Sequence, residues 1–344
     1  MKKFLLLKGC AGLGNRFITL QKAILYAQKN NRILYVDWSD GMFAPEGENA
    51  FYKYFTLSNV KSIDSIEPIV DSISNGASIY PKSLTLEEVC GSIYKNFWHV
   101  GSWLSWHFPI YRVAATTIFK GKIASVFGLQ SWQRKYDVDY SWQKNIKYVF
   151  SEENIQLGAQ LKDHINRDVV VFVDFRPLVD IKNIFNYVHL KDQYYNKFMN
   201  FALEHDLINK GIGVHIRATD KKPQKEIDKL ATLIGKLISE ESDLKIFLST
   251  DSISVTNDFM HRYRDNIVTY PKFLPDNLEG KGIHHWALNN QDKEVTSQMF
   301  EDSLADMWIL SMCKYLLWQG NSSFSLMSKL LKNDKKRTIN WMNH

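Results

Sequence analysis

The chain has 344 residues, 45% of them apolar and 23% charged, with 43 Lys and Arg against 37 Asp and Glu for a net charge of +6. At about 150 residues per domain this length predicts two domains or one large one, and the composition excludes a disordered, collagenous or coiled-coil chain. The small basic excess, with no long Lys/Arg block, excludes a protein held electrostatically on nucleic acid and fits an anionic small molecule or a phosphorylated lipid surface.

Residues 4–7 (FLLL) predict a short strand, followed by a glycine-rich turn from Gly9 to Asn15. From Phe17 to Gln28 the apolar positions Ile18, Leu20, Ile24, Leu25 and Ala27 approximate helical spacing, and Ile33 to Val36 is again a strand. This β-turn-α-β opening is expected to be parallel and right-handed, with its ligand at the carboxyl ends of the strands. The N-terminal apolar run is too short for a leader, whose core needs roughly 7–15 residues. No stretch reaches the roughly 18–20 apolar residues of a membrane span. A cytoplasmic protein, at most peripheral to the inner membrane, is expected. Cys10, Cys90 and Cys313 are odd in number and lack CxxC spacing, so neither a disulfide framework nor a zinc knuckle is expected.

The middle, about residues 50–165, is rich in aromatic residues, with Trp98, Trp103, Trp106, Phe108 and Tyr111 close together, and reads as helices and loops. Val169 to Phe175 is a buried-strand run and Leu190 to Glu204 a helix. Strands at Ile212 to Ile216, Leu244 to Leu248, Ile267 to Tyr270 and Tyr315 to Trp318 then alternate with helices at Ile227 to Leu237, Val255 to Tyr263, Val295 to Cys313 and Ser323 to Leu331. Alternation of this kind predicts a doubly wound α/β domain. With the opening unit, it predicts two Rossmann-like domains facing a cleft, 1–190 carrying an aromatic helical insert and 191–344 following it.

Four constellations carry chemistry. Gly9, Gly12 and Gly14 stand between a strand and a helix, with Asp37 ending the next strand. Three readings are open: a loop lining a ligand, a tight structural turn, or a dinucleotide fingerprint. The last is weakened because the glycines run G-x-x-G-x-G rather than G-x-G-x-x-G. Next, strand alternation puts His215 and Arg217 on one face, so the pair is expected to point out of the sheet together, with Thr219, Asp220 and Lys221 just beyond. A guanidinium at the carboxyl end of a parallel strand suits bidentate phosphate binding, against an ordinary surface ion pair. Third, Gly320-Asn321-Ser322-Ser323 precedes a helix, where hydroxyls and backbone N–H groups favour an anion or simply an N-cap. Last, Asp251 follows a strand, and Asp302 and Asp306 lie one turn apart on a long helix. Each carboxylate is expected either to receive ribose or base donors or, in the plainer reading, to cap a helix (Asp251) or face solvent (Asp302). No DxD pair is placed for Mg²⁺ or Mn²⁺ and His284-His285 reads as a polar loop, so no metal is expected.

The residues HIRATDK at 215–221 resemble the H-x-R-R-T-D-K segment of GDP-fucose-dependent fucosyltransferases, in particular the α-1,6 branch that includes the nodulation enzymes. GLGNR at 12–16, IFLSTDS at 246–252 and LADMWILSMCKYLLWQGNSSFS at 304–325 agree in order and spacing. The resemblance implies a GT-B fold and an inverting, metal-independent transfer of L-fucose from GDP-β-L-fucose to a glycan hydroxyl, with no cofactor beyond that donor. The acceptor it suggests is a surface polysaccharide or a lipid-linked oligosaccharide. It implies that Arg217 holds the β-phosphate, assisted by Ser322 or Ser323, and that His215 and Asp306 recognise guanine. Gly12, Gly14, Asn15, Asp251 and Phe324 would line the donor site, with Asp220, Lys221 and Glu226 among the catalytic groups. Leaving-group electrostatics of this kind lowers a barrier most when the donors are already in place. Two departures stand out: Ala218 replaces the second arginine, and Lys225 occupies the place of the glutamate suspected as base, with Glu226 one residue later. Other readings are another GDP-sugar, a nicotinamide or flavin oxidoreductase built on the first turn, and a glycan-binding protein without turnover.

Overall fold

The computed structural model describes residues 2–9, 11–45, 47–80, 84–91, 157–158, 165–176, 184–219, 227–275, 283, 286–287 and 290–343. The aromatic segment with Trp98, Trp103 and Trp106 lies outside them, as do Asp220, Lys221, Glu226 and His284-His285. The chain divides into two compact units, Met1–Gly41 with Glu46–His189, and Met42–Pro45 with Leu190–His344. The short piece Met42–Pro45 joins the second unit through Phe43, whose ring stacks on Phe300 at 4.4 Å.

The first unit begins with β1 (Phe4–Lys8), α1 (Leu13–Lys29) and β2 (Ile33–Asp37). It continues through α2 (Ala50–Tyr54), β3 (Phe55–Leu57), α3 (Glu67–Ser74), β4 (Ile79–Tyr80), α4 (Leu86–Cys90), β5 (Leu157–Gly158) and β6 (Val169–Arg176). Strands β1, β2, β4 and β6 run parallel in the order β2-β1-β6-β4, and β5 pairs antiparallel with β6. Every residue of β1 is buried, as expected of a parallel strand covered on both faces. On one face Phe4, Leu6, Tyr35, Val169 and Val171 pack with Ile69 of α3 and Val89 of α4. β7 (Val188–Leu190) pairs with β3 and carries the chain into the second unit.

The second unit comprises α5 (Asp192–Glu204), α6 (Leu207–Lys210), β8 (Gly211–Ile216), α7 (Ile227–Glu240), β9 (Lys245–Thr250), α8 (Ile253–Tyr263) and β10 (Ile267–Val268). α9 (Lys293–Met312), β11 (Tyr315–Trp318), α10 (Ser323–Lys332) and β12 (Thr338–Asn340) follow. All five strands are parallel, in the order β10-β9-β8-β11-β12. Ile212, Val214 and Ile216 point to one face and pack with Leu230 and Ile234 of α7 and Phe259 of α8. The opposite face is crossed by α9 at such close range that a side chain on Gly213 would be crowded. A Cβ there would meet Leu310 O at 3.1 Å and Cys313 Sγ at 3.2 Å.

The alternation expected from the sequence is present in this unit, with three local corrections. Leu190 ends β7 instead of opening a helix, since Lys191 is extended and α5 starts at Asp192. β10 stops at Val268, two residues short of Tyr270. β12 is an added edge strand whose half-buried Thr-Ile-Asn carries little apolar signal. Among the described residues no helix is long and apolar enough to cross a membrane.

Candidate functional site

In a doubly wound sheet a ligand sits where strand order reverses, because crossover helices on opposite faces leave a crevice there at the carboxyl ends. In the second unit the order leaves β8 toward β9 and β10 on one side and toward β11 and β12 on the other, so the reversal lies between β8 and β11. Arg217 follows β8 and Gln319 follows β11, and the two are joined. The Arg217 N–H donates to Gln319 Oε1 at 2.6 Å, and Gln319 Nε2 donates to the Arg217 carbonyl at 3.4 Å and to Asn321 Oδ1 at 2.9 Å. The Gln319 N–H in turn donates to Ser325 Oγ at 2.8 Å. Gln319 is fully buried, so its amide extends the β8–β11 ladder past the end of both strands and fixes the backbone from which the Arg217 side chain departs. The one sequence signal for Gln319 is an amide directly after the apolar strand YLLW, too ordinary to mark it as a site residue.

The next residues are fixed from β9. Asp251 Oδ1 accepts from the backbone N–H groups of Ala218 at 2.7 Å and Thr219 at 3.2 Å, and Oδ2 accepts from Thr219 Oγ1 at 2.6 Å. Both oxygens of Asp251 are therefore committed to the chain's own loop, and it caps no helix. Ser252 caps α8 instead, accepting from the Val255 N–H. Ala218, at the place of the missing arginine, packs against the β8 core.

His215 departs from the expected outward pair. It is 6% exposed, its ring stacks on Phe324 at 5.0 Å, and its carbonyl accepts from Trp341 Nε1 at 3.2 Å. Burial, with the positive charges of Arg217 and Lys272 nearby, pulls its pKa down to about 3, so the ring is neutral. It can accept or donate a hydrogen bond but brings no charge to a phosphate. The adjacent turn leaves Arg217 half-buried and the cation at this position.

Asp306 and Asp302 lie on α9, which is buried almost all round. Asp306 Oδ2 accepts from Ser249 Oγ at 3.0 Å and from Lys272 Nζ at 2.5 Å. Burial pushes its carboxyl above the usual range, and Lys272 and Ser249 pull against that. Asp302 is also buried, contrary to a solvated face, and accepts from Gln298 Nε2 at 2.8 Å; burial raises its pKa too. Two buried atoms, His215 Nδ1 and Asp306 Oδ1, have no hydrogen-bond partner among the described residues. Each costs about 1–3 kcal/mol in that state, so a ligand edge that pairs with them recovers that energy.

The remaining side comes from α10. Ser322 is its N-cap and accepts from the Ser325 N–H at 3.4 Å, while Ser323 is half-buried in the first turn. Nothing acidic stands in that first turn, so its N–H groups and positive dipole end remain favourable to an anion. The second unit thus brings Arg217, His215, Asp306, Phe324, Ser322 and Ser323 onto three adjacent elements, with Asp251 supporting the loop.

The glycine turn of the first unit is built differently. Gly12 is the N-cap of α1 and Gly14 and Asn15 lie in its first turn. Arg16 is buried against it, donating from Nε to the Ala11 carbonyl at 2.9 Å and forming a two-pronged pair with Asp40 at 3.3 and 2.5 Å. A Cβ on Gly9 would lie 2.1 Å from Arg16 Nη1 and 2.7 Å from Trp38, so this glycine is required by packing. Asp37 is spent as well: Lys8 Nζ reaches its Oδ2 at 2.8 Å across the β1–β2 rung, and Ser39 donates to its Oδ1 from both its backbone N–H and its hydroxyl. A carboxylate so engaged is not placed to hold a ribose, which removes the physical basis of the dinucleotide reading.

The whole chain is similar in structure to solved α-1,6-fucosyltransferases. A structure of NodZ α-1,6-fucosyltransferase soaked with GDP-fucose shares 17% identity with it, covering 96% of this chain and 93% of that one, at a TM-score of 0.57. Fucosyltransferase NodZ from Bradyrhizobium gives 16% identity, the same coverage and a TM-score of 0.55. NodZ co-crystallised with GDP gives 16% and 0.53. The chain has the fold of these fucosyltransferases. The GT-B class of two Rossmann-like units expected from the sequence is therefore its fold class. No protein-family model and no curated protein matches the sequence.

Proposed function

We propose that this chain is a fucosyltransferase that transfers L-fucose from GDP-β-L-fucose to a hydroxyl of a glycan acceptor, with inversion and without a metal ion. The observation that carries the reading is the strand-end cluster of the second unit, in a fold shared with an enzyme solved with GDP-fucose. Arg217 leaves a backbone clamped by Gln319 and Asp251, beside a helix N-terminus. A preset guanidinium and N–H groups of this kind stabilise charge as it develops on a departing diphosphate. Phe324 and the neutral His215 offer a flat apolar face for a base, and Asp306 Oδ1 an acceptor for the N–H donors of guanine.

In this reading the acceptor oxygen forms a bond to the anomeric carbon from the face opposite GDP. The bond between that carbon and the β-phosphate oxygen breaks, and its electron pair leaves with GDP. The hydroxyl proton passes to a carboxylate, Asp220 or Glu226, or to water. Lys221 adds charge beside the phosphates. A surface-polysaccharide or lipid-linked acceptor and a cytoplasmic location, peripheral to the inner membrane, complete the proposal.

The test is release of GDP from GDP-fucose with a panel of glycan acceptors in the presence of EDTA. Turnover that persists in EDTA and yields an α-linked fucoside supports the proposal. Strict dependence on added metal, or turnover with another GDP-sugar in place of GDP-fucose, contradicts it.

A further inference from the structure

Lys272 lies just past β10, carries none of the resemblance described above, and is half-buried with its ammonium on Asp306. We propose that Lys272 is a positioning residue for base recognition: it fixes the Asp306 carboxylate so that Oδ1 alone is offered to the edge of a guanine. The proposal rests on the reading of this site as a guanine-nucleotide site.

The geometry is specific. Both donors to Asp306, Lys272 Nζ at 2.5 Å and Ser249 Oγ at 3.0 Å, reach the same oxygen, Oδ2. Two donors on one oxygen set the plane of the carboxylate and leave the other oxygen undivided. That other oxygen, Oδ1, is buried and unpartnered among the described residues. Ser249 is the register partner of His215 across β8 and β9, so one arm of the arrangement is anchored in the sheet beside the other unpartnered atom, His215 Nδ1. The approach of α9 agrees. Leu310 lies against Gly213, and a crossover helix runs back along the strand, so one turn back (Asp306) meets two residues onward (His215).

The charge balance gives Lys272 a second role. Asp306 is 5% exposed, and an isolated carboxylate so buried takes up a proton and loses its acceptor character. Lys272 is the cation that faces it. Asp302, one turn back on α9, opposes ionisation, Ser249 on β9 and His215 on β8 are neutral, and Arg217 acts on His215. Lys197 of α5 pairs with Glu301 of α9 at 2.6 Å and also bonds Tyr270, whose hydroxyl burial keeps neutral. A guanine presents N–H donors from N1 and its 2-amino group to an ionised oxygen, whereas the corresponding edge of adenine presents a lone pair, so a locked carboxylate favours guanine.

Titration calorimetry with guanosine and GDP on the wild type, Lys272→Met, Lys272→Arg, Asp306→Asn and the Met/Asn double variant tests this. Lys272→Met is expected to weaken guanosine and GDP by the same factor, about tenfold or more, and to move the acid-side loss of guanosine binding up by about one to three pH units. Lys272→Arg should restore most of the affinity, and the double variant should bind no worse than Asp306→Asn alone. A loss seen with GDP but not guanosine assigns Lys272 to the phosphates and overturns the proposal. So does a double variant whose losses multiply, or an unshifted pH profile. Wild-type protein that binds no GDP overturns the functional reading itself; wild type that binds GDP while Lys272→Met matches it overturns only the role of Lys272.

Discussion

The two units end their central strands in the same topological position and finish them in opposite ways. In the first, the charges at the strand ends are neutralised internally: Lys8 with Asp37 and Arg16 with Asp40, all of them buried. In the second, Gln319 and Asp251 hold the backbone of Arg217, Ala218 and Thr219, while His215 Nδ1 and Asp306 Oδ1 are buried with no hydrogen-bond partner among the described residues. A strand end whose buried charges pair with one another is a structural joint. One that fixes the backbone and leaves polar atoms over is arranged for a ligand.

This contrast can be broken at its strongest points first. Arg16→Ala should remove about 3–5 kcal/mol of stability, because it takes away the guanidinium that pairs with the buried Asp40, and GDP affinity of the folded fraction should be unchanged; thermal melts and calorimetry read both. Arg217→Ala should do the reverse, with transfer from GDP-fucose falling about 10²–10³-fold and the melting temperature nearly constant. If Arg217→Ala unfolds the protein or leaves the rate intact, the two strand ends have been assigned the wrong way round. Gln319→Leu is intermediate: it strands the Arg217 N–H at a cost of about 1–3 kcal/mol and should weaken GDP and transfer together.

A pH series sharpens the same comparison at smaller amplitude. His215 is held neutral down to about pH 3, below its ordinary value, so the unfolded chain binds a proton that the native chain refuses. Stability from this group is complete above about pH 6.5 and falls by about 1.4 kcal/mol per pH unit as pH drops toward 3. His215→Gln should flatten the acid limb of the denaturation curve by that slope; an identical limb would mean that the ring titrates normally. Phe324→Ala, which removes the stacked face, should cost about 0.5–1.5 kcal/mol in the binding of guanosine.

Much of the second unit is legible in the sequence, because buried parallel strands read as apolar runs and their helices as periodic ones: YLLW is a strand over the residues predicted, and the other strands and helices differ only at their ends. What escaped has physical reasons. β12 is polar and takes its place only by pairing with β11, where its Asn340 side chain fills the space left by Gly320. In the first unit α2, β3 and β4 are two to five residues long, too short for periodicity to register. At the site, His215 and Asp306 are conspicuous because unusual residues interrupt apolar runs. Gln319 and Lys272 are ordinary polar residues just after strands, and their meaning comes from partners 102 and 34 positions away. Asp251 was visible as a residue but not as a support, since nothing local shows that Ala218 and Thr219 fold back onto it.

The central claim is that the second unit's strand ends hold guanosine diphosphate. A crystal of this chain grown with GDP tests it most directly. The account predicts guanine against Phe324 and His215, with Asp306 Oδ1 on its N–H edge and the β-phosphate on Arg217. Nucleotide bound at the Gly12 turn with the β8 and β11 ends empty, or no nucleotide at saturating GDP, would contradict it.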